Sequence, residues 1–257
     1  MLAKAQRNGL AEANPALDVE GHDAAHKLSL LVTLAFGALL KPYQVYTEGI
    51  THITQQDIGY ARALGFAIKL LAIAKDDNGS IEARVHPTMI PLKHLLADVS
   101  GAFNAIYIHG EALGSTMYFG LGAGQMPSAT AVVADILELA RHRMAAGNAR
   151  THALGYPFGR LRRARVKPVE DVVCEYYLRF MAKDVPGVLG GIASVLGRNH
   201  ISIASVIQQE RSREVTVPVV MRTHEAREKN LRRALEQIRK LAIVKDQPVF
   251  IRIEERL

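Results

Sequence analysis

The sequence predicts an α+β chain, with a mixed-sheet unit followed by a ferredoxin-like βαββαβ unit. Three observations predict it. Two pairs of apolar, strand-like segments are each joined by a short turn within residues 66–120. A basic stretch broken by Gly, Pro and Asn then interrupts any regular pattern over residues 141–168. Beyond it, strand and helix patterns follow in the order β-α-β-β-α-β, the split βαβ arrangement.

Residues 1 to 18 are mixed and turn-rich. From Asp23 to about Leu40 apolar residues recur densely at helical spacing, which implies a buried helix. "TQQD", Thr54 to Asp57, has a hydroxyl followed three residues later by a carboxylate, the pattern of a capping box, and its helix should end near Gly65. "FAIKLLAIAK" reads as a strand, "DDNG" (Asp76 to Gly79) as a hairpin turn and "SIEARVHP" as the returning strand. "AFNAIYIHG" and "ALGSTMYFG" form the second pair, turning around Gly110 and Glu111, and a helix from about Thr130 to Arg143 completes the unit. The expected division is a first domain over 1–145, a basic linker over 146–170 and a second domain over 171–257. In the second domain "CEYYLRFMAKD", "ISIASVIQQER", "EVTVPVVMRTH" and "PVFIRIE" are strands, and "GVLGGIASVLGRN" is a helix. "EAREKNLRRALEQIRKL" is an amphipathic helix with Leu231, Leu235, Ile238 and Leu241 on one stripe. Pro218 suggests an edge strand or a bulge.

The chain has 257 residues, 49% of them apolar and 22% charged, a balance that supports a globular core. No apolar run approaches the ~18 residues of a membrane span, so no membrane partner is expected. Cys174 is the single cysteine, which excludes an intramolecular disulfide and points to a reducing, cytoplasmic setting. A net charge of +7 is concentrated in 141–168. Such clusters can bind nucleic acid, but a solvated linker, an anionic cofactor or an acidic substrate accounts for the charge equally well, and no nucleic-acid partner is expected.

"GLAEANPALDVEGHDAAHK", residues 9 to 27, is the stretch that suggests a site. Asp23 and Lys27 lie one helical turn apart and share a face. Taken alone, such a pair is a surface salt bridge contributing ~0.3–0.5 kcal/mol. Here Leu28, Leu30, Leu31, Val32 and Leu34 follow at once, so the pair could face a partly desolvated cleft suited to proton transfer. His22 and His26 imitate a zinc-protease spacing, but Asp23 is one methylene short of the required glutamate and no third ligand is evident. No metal site is expected.

Ala5, Gly9, Leu10, Ala11, Asn14, Pro15, Asp18, Val19, Gly21, Asp23 and Lys27 match, spacing for spacing, the pattern of homoserine dehydrogenases. The resemblance continues through "EGITHITQQDIGYARALGFAIKLLAIAK", "ARVHPTMIP", "GAFNAIYIHGEALGSTMYFGLGAGQMPSATAVVADI" and "VPVVMRTH". It implies an NAD(P)-dependent oxidoreductase that interconverts L-homoserine and L-aspartate 4-semialdehyde in threonine and methionine biosynthesis. It also implies roles: Lys27 as proton donor and acceptor at the substrate oxygen, Asp23 as its orienting partner and a substrate contact, and Glu12 as the carboxylate that binds the substrate ammonium. Gly9 resembles a backbone contact to the cofactor. "GLGAGQMPSAT" is Gly-x-Gly-x-Gly without a surrounding βαβ unit, so alone it is a weak signal. The resemblance sets this loop, and Gly124 in particular, against cofactor and substrate.

The family begins with a Rossmann-type nucleotide domain, and the matched pattern here starts with Ala5. That domain, with the family's second lysine and its sodium-ion site, is expected upstream, so this chain alone should be inactive. A truncated form, a mis-assigned start and a natural fragment are equally compatible with the sequence. "KDVPGVLGGI", Lys183 to Ile192, resembles the first strand–helix turn of an ACT domain, where exposed backbone N–H groups can receive an amino-acid carboxylate. This implies an L-threonine effector, with Asp184, Gly187, Asn199 and Gln208 as contacts, and a homodimer or tetramer. The alternative is a non-catalytic amino-acid-binding regulatory protein derived from this family.

Overall fold

The computed structural model describes residues 15–122, 124–144, 154–208, 216–255 and 257. A short α1 (Ala16–Val19) leads into α2 (His22–Phe36), which packs Ala25, Leu28 and Val32 onto Ile81, Ala83 and Val85. α2 ends earlier than its apolar pattern suggests. Gly37 takes the left-handed conformation (φ 59°) and donates its N–H to the Thr33 carbonyl, closing the helix. The two-residue strands β1 (Ala38–Leu39) and β2 (Tyr46–Thr47) follow, then α3 (Gln55–Ala63). The expected capping box is present in α3: Asp57 N–H donates to Thr54 Oγ1, and Thr54 N–H donates to Asp57 Oδ2.

The long hairpin β3 (Phe66–Asp77) and β4 (Ser80–Pro91) is the spine of the first unit, with Asn78 and Gly79 at positive φ in its turn. Down one edge β4 pairs with β3. Its other edge is completed piecewise by three parallel segments, each two residues deep in register: β8 (Arg165–Val166), β2 and β13 (Val249–Ile253). β5 (Phe103–Gly110) and β6 (Gly114–Leu121) form a separate two-stranded ribbon, followed by α4 (Gln125–Met144), which has no buried residue. α4 begins five residues before the expected Thr130, because Pro127 sits in the first turn, where its missing N–H costs nothing. The expected linker is partly structured: β7 (Arg162–Arg163) pairs with β1, and β8 fills part of the β4 edge.

The second unit follows the predicted order: β9 (Val173–Lys183), α5 (Val188–Arg198), β10 (Ile203–Gln208), β11 (Thr216–Thr223), α6 (Glu228–Arg239) and β13, with a two-residue β12 (Ala226–Arg227) against β9. The strand order β10-β11-β9-β13 is that of a ferredoxin-like sheet. Its core packs Tyr176, Leu178 and Phe180 of β9 under Ile192, Leu196, Leu231 and Ile238 of the two helices. Pro218 lies on β11, an interior strand, and not at the expected sheet edge. It sits one residue past Val219, the last β11 residue paired with the described part of β10, so its missing N–H breaks no described rung on that side. Cys174 is buried in this core, and burial pushes its thiol up to about 11, as befits an inert side chain.

β13 pairs with both β9 and β4, so one nine-stranded sheet runs through both units. The junction is polar and closed. Asp57 accepts from Arg179 Nε at 2.7 Å, Arg179 Nη2 at 3.1 Å and the Tyr177 hydroxyl at 3.0 Å, joining α3 to β9. Arg84 donates to Glu82 and Glu254 and, at 2.6 Å, to His86 Nε2. A guanidinium cannot accept, so His86 is the neutral Nδ1–H tautomer, donating to the Pro87 carbonyl. Burial, then the Arg252 and Arg84 charges, hold His86 well below its ordinary value.

Candidate functional site

The turn into α2 sets the candidate pair. Gly21 adopts φ 81°, a left-handed conformation that favours glycine. A Cβ there would lie 3.0 Å from Val85 Cγ1 and 3.3 Å from Thr47 Cγ2. Gly49 approaches from the opposite side; a Cβ on it would lie 2.5 Å from the Val19 carbonyl oxygen and 2.8 Å from Glu20 Cα. The Gly49 backbone therefore presses on the Val19–Glu20 backbone with no room for a side chain, and the Ile50 N–H donates to Val19 O at 2.9 Å.

From this turn α2 projects Asp23 in its first turn, where a carboxylate suits the helix dipole, and Lys27 one turn on. Lys27 Nζ and Asp23 Oδ2 are 2.6 Å apart, with the side chains 63% and 45% exposed. The expected desolvated cleft is thus absent around the pair among the described residues. Leu30 (64% exposed) and Leu34 (46%) continue the same stripe, so an acid–lysine pair heads an open apolar surface.

The other expected residues separate. Glu12 and Gly9 lie outside the described residues. Gly124 takes φ 132° at the start of α4, and its carbonyl accepts from Ser128 N–H at 3.1 Å. The first-turn N–H groups of α4 have no acceptor within the helix, so this end suits an anionic group such as a cofactor phosphate. The described residues supply no Rossmann unit around it. No set of three or more His, Cys, Asp or Glu among the described residues converges as a metal site.

In the second unit, Asp184 and Gly187 line a cavity of about 190 Å³ with Lys183, Val185, Val188, Leu189, Val217 and Val219. Gly187 is the left-handed N-cap (φ 89°) of α5. Asn199 is at the opposite end of α5, where its Nδ2 donates to the Val195 carbonyl and to Gln237 Oε1. It ties α5 to α6 and is not a wall of this cavity. The backbone of Gln208 ends β10, and its side chain lies outside the described residues.

Sequence reasoning missed the residues that fasten the two units. Arg252 donates to both carboxylate oxygens of Glu228 at 2.7 Å and to Glu48 Oε2 at 3.0 Å, and it stacks over the rings of Tyr46 and Phe250. Arg232 adds a second guanidinium to Glu228. The available signal was the alternation "EARVHPT" in β4 and "RIE" at the end of β13, polar residues at every second position of segments that are otherwise apolar.

Comparison with known proteins gives the family and the fold. The sequence profile described as "Homoserine dehydrogenase" matches residues 1–137 and that of the ACT domain matches 176–243. The chain belongs to the homoserine dehydrogenase family. It is 41% identical over 256 residues to the homoserine dehydrogenase of Pseudomonas aeruginosa and 40% identical over 254 residues to that of Neisseria gonorrhoeae. In each case 99% of this chain is covered, with 59% and 58% of the respective relatives. The crystal structure of a homoserine dehydrogenase from Thiobacillus denitrificans superposes with a TM-score of 0.91 at 42% identity, over 99% of this chain and 57% of that one. The chain therefore spans somewhat under three-fifths of these relatives. Among the described residues no helix is long and apolar enough to cross a membrane.

Proposed function

We propose that this chain is the substrate-binding and regulatory portion of an NAD(P)-dependent homoserine dehydrogenase that interconverts L-homoserine and L-aspartate 4-semialdehyde in cytoplasmic threonine and methionine biosynthesis. The observation that carries the reading is the Asp23–Lys27 pair, joined at 2.6 Å just after the Val19–Gly21 turn that Gly49 packs against. In the oxidising direction the Lys27 amine takes the proton of the substrate hydroxyl, and in the reducing direction its ammonium returns a proton to the aldehyde oxygen as charge develops there. Asp23 holds the amine in place, and Glu12 receives the substrate ammonium. A bound nicotinamide would supply the hydride acceptor or donor for the substrate carbon, and Gly9 and the Gly124 end of α4 would be the contacts this chain offers it.

The open stripe beside Lys27 is consistent with a further domain closing over it, as expected of the nucleotide-binding part. The β5–β6 ribbon exposes Phe103, Ile106, Ile108, Tyr118 and Phe119, and a two-stranded ribbon is marginal by itself. A second copy of the chain is the expected cover, giving a homodimer or tetramer. The cavity at Asp184 and Gly187 is the proposed seat of an amino-acid effector, L-threonine by family.

The deciding experiment is homoserine-dependent NAD(P)⁺ reduction by this chain and by the same chain joined to its upstream coding sequence. Turnover only in the longer protein is the expected result. Turnover by the short chain would refute the assignment of the cofactor site to an upstream domain. Silence in both, with threonine binding retained, would establish the non-catalytic regulatory protein instead.

A further inference from the structure

The junction between the units ends on the candidate catalytic turn. Glu228, at the start of α6, and Arg252, on β13, are both fully buried, and each belongs to the second unit. Arg252 reaches across to Glu48 at 3.0 Å, and the Tyr46 hydroxyl donates to the same Glu48 oxygen at 3.0 Å. Glu48 is fixed along its backbone as well, its N–H donating to the Val85 carbonyl at 2.8 Å. The next two residues are Gly49, pressed on Val19 and Glu20, and Ile50, hydrogen-bonded to Val19. Val19, Glu20 and Gly21 are the turn from which α2 projects Asp23 and Lys27.

We propose that Glu48 and Arg252 are positioning residues, through which the second unit holds the turn that aims Asp23 and Lys27. The proposal rests on the dehydrogenase reading for its catalytic meaning, but the mechanical link stands on contacts alone. Every step is short and rigid: a two-pronged ion pair inside the second unit, one charged hydrogen bond across the junction, then a backbone contact with no side chain between. Its effect is to fix orientation, and small errors of orientation are costly in a proton-transfer site. The second unit would therefore be required for turnover with its effector cavity empty, which a detachable sensor would not be.

The test is Glu48→Gln, which removes the carboxylate charge facing Arg252 while leaving Arg252 paired with Glu228, so that folding is retained. Lys75→Met, which breaks a different junction pair with Glu254, is the control. Hydrogen exchange by mass spectrometry on this chain should show segment 16–27 exchanging about 10-fold faster in Glu48→Gln, with β9 and α5 unchanged, and no such change in Lys75→Met. In the chain joined to its upstream coding sequence, Glu48→Gln should lower kcat about 10–100-fold while leaving the KM for homoserine within about twofold. Unchanged exchange over 16–27, or a rise spread evenly over the whole chain, would overturn the link. Localised faster exchange with unchanged kcat would overturn the positioning role. If the unsubstituted longer protein has no turnover, the dehydrogenase reading fails, and the exchange data alone still decide the link. Gly49→Ala, which drives a methyl into Val19 O, should reproduce the exchange change without touching any charge.

Discussion

Two acid–base pairs in this molecule are alike in chemistry and opposite in setting. Asp23–Lys27 lies on the outer face of α2 and is largely exposed, whereas Glu228–Arg252 is closed to solvent between α6 and β13. The exposed pair contributes little to stability, because water screens it and both side chains are free to move. The buried pair makes each partner indispensable to the other: with one removed, a charge is stranded in a low-dielectric interior. Under the proposed function, the charges that serve chemistry are thus weakly held, and those that hold the fold are shut away from solvent.

That contrast can be broken at four points, from the largest effect downward. Lys27→Ala in the longer protein should lower kcat by about 10²–10⁴, as for loss of a general acid, measured by homoserine oxidation. A near-normal kcat would remove Lys27 from the chemistry. Arg252→Met should cost about 3–5 kcal/mol in urea unfolding, since Glu228 would lose its main partner. A change below 1 kcal/mol would mean that water reaches the junction. Lowering the pH should then destabilise the protein in two stages. His86 is held below its ordinary value, so the unfolded chain binds a proton that the native one refuses. Stability should decline by up to about 1.4 kcal/mol per unit as pH falls from 6.5, and His86→Gln should flatten that slope. Below about pH 4.5 the junction carboxylates join in. Burial alone would raise Asp57, Glu228 and Glu254, but their arginine partners, with Thr54 at Asp57 and Lys75 at Glu254, outweigh it and keep them lowered. Their stabilisation is present above the unfolded values and lost as pH falls through the folded ones. Finally, Lys27→Met should change unfolding stability by no more than about 0.5 kcal/mol. A larger loss would make the exposed pair structural after all.

How much of this was legible in the sequence depended on distance along the chain. The capping box at Thr54–Asp57 was read correctly because both partners sit within one turn. The second use of Asp57, on Arg179 and Tyr177, was hidden because its partners are some 120 residues away. The βαββαβ order was visible from local periodicity, since each element buries one clean face. By contrast, Arg162 to Val166 read as linker: two-residue strands follow from the edge they complete, not from any pattern of their own. In the candidate site, the spacing of Asp23 and Lys27 fixed their contact. Nothing local told that Leu30 and Leu34 would stand open beside them, because that depends on what packs against α2. Asn199, expected by resemblance as an effector contact, has contacts no local pattern could foretell: it ties together the ends of two helices.

The divided edge of β4 also has a consequence in time. On that edge Thr88 and Met89 find their partners in Arg252 and Ile253, about 160 residues later in the chain. At ribosomal speeds of ~5–20 residues per second, that stretch of the β4 edge stays bare for roughly 10–30 s of synthesis. A bare strand edge invites pairing with another nascent chain. The polar residues of β4 then act as gatekeepers before they act as fasteners: Glu82, Arg84 and His86 are poor material for aggregation, and Arg84 gains Glu254 only as the last strand arrives.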